Sequence, residues 1–180
     1  FKKTLQLCDK GIALSSSLKK NLTPFLQERN IFELENFVED FVFSKKIKKR
    51  FDKLRIIYLS NLMTEKGIFY LLDSFKILHE KNVKFEAKIA GAIDQLVECR
   101  IKNKLNDMPK CVCYLGLVHG KEKKQLLDWG NVFVFPSYLM EGQPISILEA
   151  MATGNIILTT NQAGINDIFE QKVNGFYIKK

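Results

Sequence analysis

The 180-residue sequence lacks the long apolar runs and the cysteine pairs that mark several classes of protein. Its longest uninterrupted apolar run has five residues, whereas a membrane-spanning helix needs about twenty. The four cysteines include no C-x-x-C pair, which argues against a zinc clip or a disulfide framework. We therefore expect reduced thiols and a core stabilised by apolar packing, since a domain of this size buries about 70% of its unfolded surface.

The positive charge is concentrated in one segment. The chain has 28 Lys and Arg against 20 Asp and Glu, a net charge of +8, and seven of the basic residues lie between Lys45 and Arg55 with one acid. The remainder is nearly neutral, so nucleic-acid binding by the whole fold is not expected. Two interpretations of the segment stay open: a solvated linker, which we favour, and a peripheral contact with anionic lipid headgroups.

Strand-like and helix-like segments alternate through most of the chain. The predicted strands are 54–60, 85–91, 112–115, 132–135, 156–160 and 175–178, and the predicted helices are 66–80, 94–106, 121–129 and 145–152. Repeated β-α units with short apolar strands predict an α/β fold, a doubly wound Rossmann-like parallel sheet with helices on both faces. Because the chain starts at Phe1 and ends just after a predicted strand, we expect a fragment of a longer protein.

Two carboxylates stand out between Pro136 and Gly154. Glu149 lies in the middle of a short helix that is apolar nearly all round, and a buried carboxylate is costly unless it is paired or hydrogen-bonded. Glu141 precedes that helix, and Pro144 suits its first position. Free amides of the first turn can bind an anion, and the carboxylates can accept hydrogen bonds from hydroxyl groups. This order fits a nucleotide-sugar; the alternative is a Glu149 satisfied by structural amides.

Lys66 adds a cation beside the expected crevice. It begins a predicted helix, where the helix dipole favours negative charge. We therefore interpret Lys66 as a phosphate ligand, and a freely solvated surface lysine is the alternative.

Four motifs in this order resemble a known family. They are YLSNLMxxKG from Tyr58, the glycine of IAGA, YLGLV from Tyr114, and FPSxxxEGxPxxxLEAMAxG from Phe135. Together they resemble the C-terminal half of retaining GT-B glycosyltransferases, which build capsule, lipopolysaccharide and related glycans. The resemblance implies that residues 45–180 form the donor-binding domain. Residues 1–44 resemble the last strand-helix-strand of the N-terminal acceptor domain with its linker.

The resemblance also implies roles for single residues. Glu141 and Lys66 would be catalytic: Glu141 would contact sugar hydroxyls, and Lys66 would pair with the diphosphate and stabilise the departing nucleotide. Glu149 would bind the ribose hydroxyls. The other donor-binding positions would be Asn61, Gly91, Val118, Gly142, Gln143, Pro144, Ile145 and Ser146. No metal or other cofactor is implied, and a UDP-sugar is favoured over a GDP-sugar.

The implied activity is transfer of a hexose from a nucleotide-diphosphate sugar to a glycan or lipid-linked acceptor with retention. The expected location is the cytoplasm, with peripheral contact to the inner face of the membrane, and we expect the fragment alone to be inactive. Asn61 stands where the family commonly has arginine, so a neutral amide replaces a charged bidentate group. The alternatives are a domain that binds the nucleotide-sugar without turnover and a nucleotide-sugar epimerase of related fold.

Overall fold

The computed structural model describes residues 2–43 and 49–178. Its helices are Lys2–Leu5 (α1), Ser16–Lys19 (α2), Asp40–Phe43 (α3), Ile68–Glu80 (α4), Glu98–Asn106 (α5), Gly120–Trp129 (α6), Ile145–Ala152 (α7) and Ala163–Asn166 (α8). Its strands are Gly11–Ala13 (β1), Ile31–Glu33 (β2), Leu54–Leu59 (β3), Phe85–Ala90 (β4), Val112–Tyr114 (β5), Val132–Phe135 (β6), Ile156–Thr159 (β7) and Gly175–Tyr177 (β8). Short 3-10 turns cover Glu28–Asn30, Thr64–Lys66 and Gln95–Val97.

The main sheet has six parallel strands in the order β5-β4-β3-β6-β7-β8. β3 pairs with β4 on one side and with β6 on the other, so the direction in which the sheet grows reverses between β3 and β6. This is the strand order of doubly wound dinucleotide-binding folds, in which ligands bind beyond the carboxyl ends of the strands at the reversal. The predicted doubly wound parallel sheet is confirmed.

Helices cover both faces of this sheet. Ile56 and Tyr58 of β3 pack in the core beneath α4 and α5, whereas Ile57 packs in the core beneath α6, α7 and α8. Successive strand residues point to opposite faces. A strand that is apolar at consecutive positions is therefore stable only between two helical layers.

Two predicted helices begin later than the sequence indicated. Gly67 adopts φ +76°, which interrupts the predicted helix 66–80, so α4 begins at Ile68 and Lys66 lies in a 3-10 turn instead. The predicted helix 94–106 likewise opens with a 3-10 turn. Asp94 caps that turn, because its side chain accepts a hydrogen bond from Leu96 N at 2.9 Å.

The N-terminal residues form a small unit of their own. β1 and β2 pair in parallel as a separate two-stranded sheet, with α2 between them in the chain. Ser15 Oγ and Ser17 Oγ both donate to the Asp167 carboxylate next to α8, which ties this unit to the main sheet's helical layer. The division of the chain into domains at residues 44 and 45 stays a prediction, and residues 44–48 lie outside the described residues.

The basic segment is only partly a solvated linker. Lys49 turns inward, and its Nζ donates to the carbonyl oxygens of Leu127 and Gly130 at 2.5 and 2.7 Å, at the end of α6. The buried Asn131 side chain also donates to the carbonyl oxygens of Arg50 and Lys53. The favoured interpretation is therefore wrong for Lys49, whereas the side chains of residues 50–53 are exposed. The other lysines of the segment, which lie outside the described residues, are Lys45, Lys46 and Lys48.

No helix in the described ranges, 2–43 and 49–178, is long and apolar enough to cross a membrane. All four cysteines are free: Cys8, Cys99 and Cys113 are exposed, and Cys111 is half-buried.

Candidate functional site

The loops that follow β3 and β6 lie against each other at the point where the strand order reverses. Tyr138 N donates to the carbonyl oxygen of Glu65 at 2.9 Å. A Cβ on Gly67 would lie 2.2 Å from the carbonyl oxygen of Pro136, and this residue also needs a positive φ. Glycine satisfies both requirements because it has no side chain. The predicted phosphate loop is thus held against the loop that carries Glu141.

The two residues predicted to be catalytic form an ion pair. Lys66 Nζ lies 2.6 and 2.8 Å from the two carboxylate oxygens of Glu141, and Ser137 Oγ donates to one of them at 2.5 Å. The Glu141 side chain is 9% exposed and the Lys66 side chain 16%. A carboxylate buried this deeply needs such partners. The pair therefore joins the loop after β3 to the loop after β6.

The second carboxylate, Glu149, is also paired with a lysine. Glu149 is buried in α7, and its Oε1 accepts a hydrogen bond from Lys123 Nζ of α6. Structural amides, the alternative interpretation of Glu149, are therefore not needed to satisfy it. Lys123 is not among the predicted site residues. The available signal was its place near the beginning of α6, where the dipole disfavours a cation, which is the same signal that singled out Lys66.

The turn Gly142–Gln143–Pro144 is held by the N-terminal unit. Asn36 N donates to Gln143 Oε1 at 2.9 Å, and Asn36 Nδ2 donates to the Gln143 carbonyl oxygen at 2.7 Å. Gln143 is 3% exposed, and its buried Nε2 has no hydrogen-bond partner among the described residues. On the other side, a Cβ on Gly164 of α8 would lie 2.0 Å from the Gly142 carbonyl oxygen. The turn is therefore enclosed from two sides.

Helix α7 starts beside this turn. Pro144 is its N-cap in extended conformation rather than its first helical residue, and the Pro144 carbonyl accepts from Ile147 N at 3.0 Å. The predicted helix 145–152 is confirmed, and only the expectation that Pro144 occupies its first position is wrong. The amides of Ile145 and Ser146 have no acceptor within the helix. They lie at its positive end, where an anion is stabilised.

The remaining predicted positions lie around the same edge of the sheet. Asn61 is exposed, and its carbonyl accepts from the hydroxyl of buried Tyr58 at 2.9 Å; burial raises the pKa of Tyr58 above its usual range. Gly91 has a φ of +144°, and a Cβ there would lie 1.9 Å from the Ser60 carbonyl oxygen. Glycine is therefore needed at this position for the packing of the backbone against Ser60. Val118 is buried and lines an open cavity of about 270 Å³ beside α6.

Within residues 2–43 and 49–178, no three His, Cys, Asp or Glu side chains are grouped so that they could hold a metal ion.

Comparison with known proteins connects this geometry to a family. Residues 40–180 match the family described as Glycosyl transferases group 1. The chain belongs to this family. It is 31% identical over 130 residues to the amylovoran biosynthesis glycosyltransferase AmsK of Erwinia amylovora, covering 68% of this chain and 31% of that protein. It is 28% identical over 187 residues to the capsular polysaccharide biosynthesis glycosyltransferase CapM of Staphylococcus aureus, covering 94% and 48% respectively. The chain thus spans about a third to a half of the curated relatives it matches.

Solved structures share its fold. A TarM variant from S. aureus, in complex with fondaparinux, α-GlcNAc-glycerol and UDP, superposes with a TM-score of 0.81 at 20% identity, covering 99% of this chain and 35% of that one. HepE from Anabaena in complex with UDP-glucose superposes with a TM-score of 0.78 at 16% identity, covering 98% of this chain and 54% of that one. These neighbours are GT-B glycosyltransferases, so the GT-B expectation is confirmed.

Proposed function

We propose that this chain binds the nucleotide-diphosphate sugar of a glycosyltransferase that moves a hexose to a glycan or lipid-linked acceptor with retention. The observation that carries the proposal is the pair of buried carboxylates, Glu141 and Glu149, on either side of the start of α7. The family of the chain supports glycosyl transfer, and the UDP and UDP-glucose held by TarM and HepE support a UDP-sugar donor.

The proposed donor lies along the start of α7. Its diphosphate would accept hydrogen bonds from the amides of Ile145 and Ser146. Glu149 lies on the same helix face, one turn further, and would accept hydrogen bonds from the ribose hydroxyls. Glu141, before the helix, would do the same for the sugar. Lys66 would stabilise the charge that develops on the departing diphosphate as the bond to the sugar breaks. No metal is part of the proposal.

A domain that binds the donor without turnover is the second candidate. The observation that favours it is Asn61, which is exposed and neutral where the resemblance implies arginine. The relatives named glycosyltransferases favour transfer over epimerisation. Asn61→Arg separates the two candidates in a protein that carries both halves: a gain in turnover indicates a weakened enzyme, and no gain favours binding alone.

The proposal places the acceptor at the inner face of a membrane, with the protein in the cytoplasm. The basic segment 45–55 supports a peripheral contact with anionic lipids. Lys53 is exposed, with 62% of its side chain accessible, whereas Lys49 points away from solvent toward α6. The contact would therefore depend on Lys53 together with Lys45, Lys46 and Lys48 rather than on Lys49.

Thermal unfolding with UDP, GDP and ADP tests donor binding. A ligand at 100 times its Kd adds about 2.7 kcal/mol to the unfolding free energy, which is roughly 5 to 10 °C in Tm for a domain of this size. We expect a shift with UDP that is lost in Glu149→Ala, because the ribose hydroxyls lose their acceptor. Glu80→Ala, which removes an exposed carboxylate of α4, is the matched control and should keep the shift. A wild-type chain that unfolds cooperatively with no shift for any nucleotide would contradict the proposal.

A further inference from the structure

The charges around the start of α7 cancel only if Lys123 is counted. Glu141 and Glu149 are negative and Lys66 is positive, while Asn61 contributes no charge. These groups alone would present one net negative charge to an incoming diphosphate. Lys123 removes that charge, although the proposed function gives it no task.

Lys123 is bonded to a carboxylate that helix geometry puts near the first turn of α7. Residues three and four apart lie on one face of a helix, so Glu149 shares a face with Ile145 and Ser146. Side chains in a helix lean toward its N-terminus, and the Glu149 carboxylate therefore lies over the first turn of α7. Lys123 Nζ is bonded to this carboxylate. The Lys123 side chain is 24% exposed against 4% for Glu149, so the lysine is the more accessible member of the pair.

The neighbouring lysine on α6 shows that this arrangement is specific. Lys124 pairs with Asp128 within its own helix, at 2.8 Å. Lys123, one position earlier, instead reaches across to α7. Both cations lie in the half of α6 where the dipole disfavours them. Lys124 is paired within its own helix, whereas Lys123 is paired with Glu149 of α7.

We propose that Lys123 is a donor-binding residue that supplies the second positive charge for the diphosphate, in the place of the arginine that Asn61 replaces. The inference rests on the proposed function. An ammonium group has three donors, so Lys123 can keep one hydrogen bond to Glu149 and direct another to a phosphate oxygen. Glu149 then binds the ribose and positions Lys123 at the same time.

Titration calorimetry with UDP and with uridine tests this assignment, because uridine has the ribose without the diphosphate. We expect Lys123→Met to weaken UDP binding about tenfold or more, as for the loss of a hydrogen bond to a charged group, and to weaken uridine binding much less. Lys124→Met is the matched control and should change neither affinity. Lys123→Arg should keep UDP binding, and Asn61→Arg should restore it in the Lys123→Met background.

Three results would overturn the inference. Unchanged UDP affinity in Lys123→Met would show that the lysine does not contact the diphosphate. Equal losses for UDP and uridine would show that it acts only through Glu149. A wild-type chain that binds neither compound would contradict the proposed function itself and the inference with it, and this outcome is recognised before any variant is compared.

Discussion

Each buried carboxylate of the site is paired with a lysine from a distant part of the chain. Lys66 lies 75 residues before Glu141, and Lys123 lies 26 residues before Glu149. Removing one member of such a pair leaves a buried charge without compensation. The pairs therefore fix two loops and two helices relative to each other as well as setting the charge of the site.

The burial of Lys49 predicts a pH-dependent stability. Burial lowers the pKa of Lys49 from 10.5 to about 8 in the folded chain. Between these pH values the unfolded state binds more protons than the folded state, so the unfolding free energy should rise with pH. We expect this rise to be smaller in Lys49→Met, measured by chemical denaturation of both proteins from pH 7.5 to 10.5.

A variant in the same segment controls for the removal of a lysine. Lys53→Met removes an exposed lysine whose nearest partner, Glu86, lies 3.5 Å away. The unfolding free energy of Lys53→Met should rise with pH as much as that of the wild type. Parallel stability curves for the wild type and Lys49→Met would show that the buried ammonium group does not titrate in this range.

At the scale of elements, the sequence predicts most of the main sheet and the helices around it. β6 and α7 have the predicted bounds, because Pro136 ends the strand and Gly154 follows the helix with φ +74°. α8 was missed because it is four residues long and contains glycine, so it has no helical periodicity. The Lys123–Glu149 pair was missed because it depends on how α6 packs against α7, which no local pattern encodes.

Asn36 links the N-terminal unit to the turn that precedes α7. Asn36→Ala removes the hydrogen bond from Nδ2 to the Gln143 carbonyl oxygen, which is worth about 1 kcal/mol. We expect amide hydrogen exchange of residues 142–147 to become about fivefold faster, because the turn opens more often. Hydrogen-exchange mass spectrometry of both proteins measures this directly.

The same segment offers a control that faces elsewhere. Ser16→Ala removes a hydrogen bond to Glu33 inside the N-terminal unit, at 2.8 Å, and should leave the turn unchanged. Identical exchange at 142–147 in the wild type and Asn36→Ala would mean that α8 and the main sheet hold the turn without help from Asn36.

For the whole molecule, the order of the strands in the sheet is the property that local sequence patterns predict least well. Alternating strands and helices predict a parallel sheet, but the position of the reversal between β3 and β6 follows from pairing of strands that are far apart in the chain. The family resemblance supplied what periodicity could not, namely that the loops after these two strands lie together. The inward turn of Lys49 was not predictable, because the sequence of a lysine-rich segment does not indicate which lysine contacts the end of α6.

The uneven charge of the whole molecule predicts its behaviour at a membrane. Each lysine near an anionic surface contributes about 1 kcal/mol, so neutralising Lys45, Lys46 and Lys48 to glutamine should weaken binding to vesicles roughly a hundredfold. Cosedimentation with phosphatidylcholine vesicles, with and without phosphatidylglycerol, measures this. The control neutralises three exposed lysines outside the segment, Lys81, Lys84 and Lys110, and so removes the same net charge. We expect the control to keep its binding. If both triple variants lose binding equally, net charge alone governs the association, and if neither does, segment 45–55 makes no membrane contact.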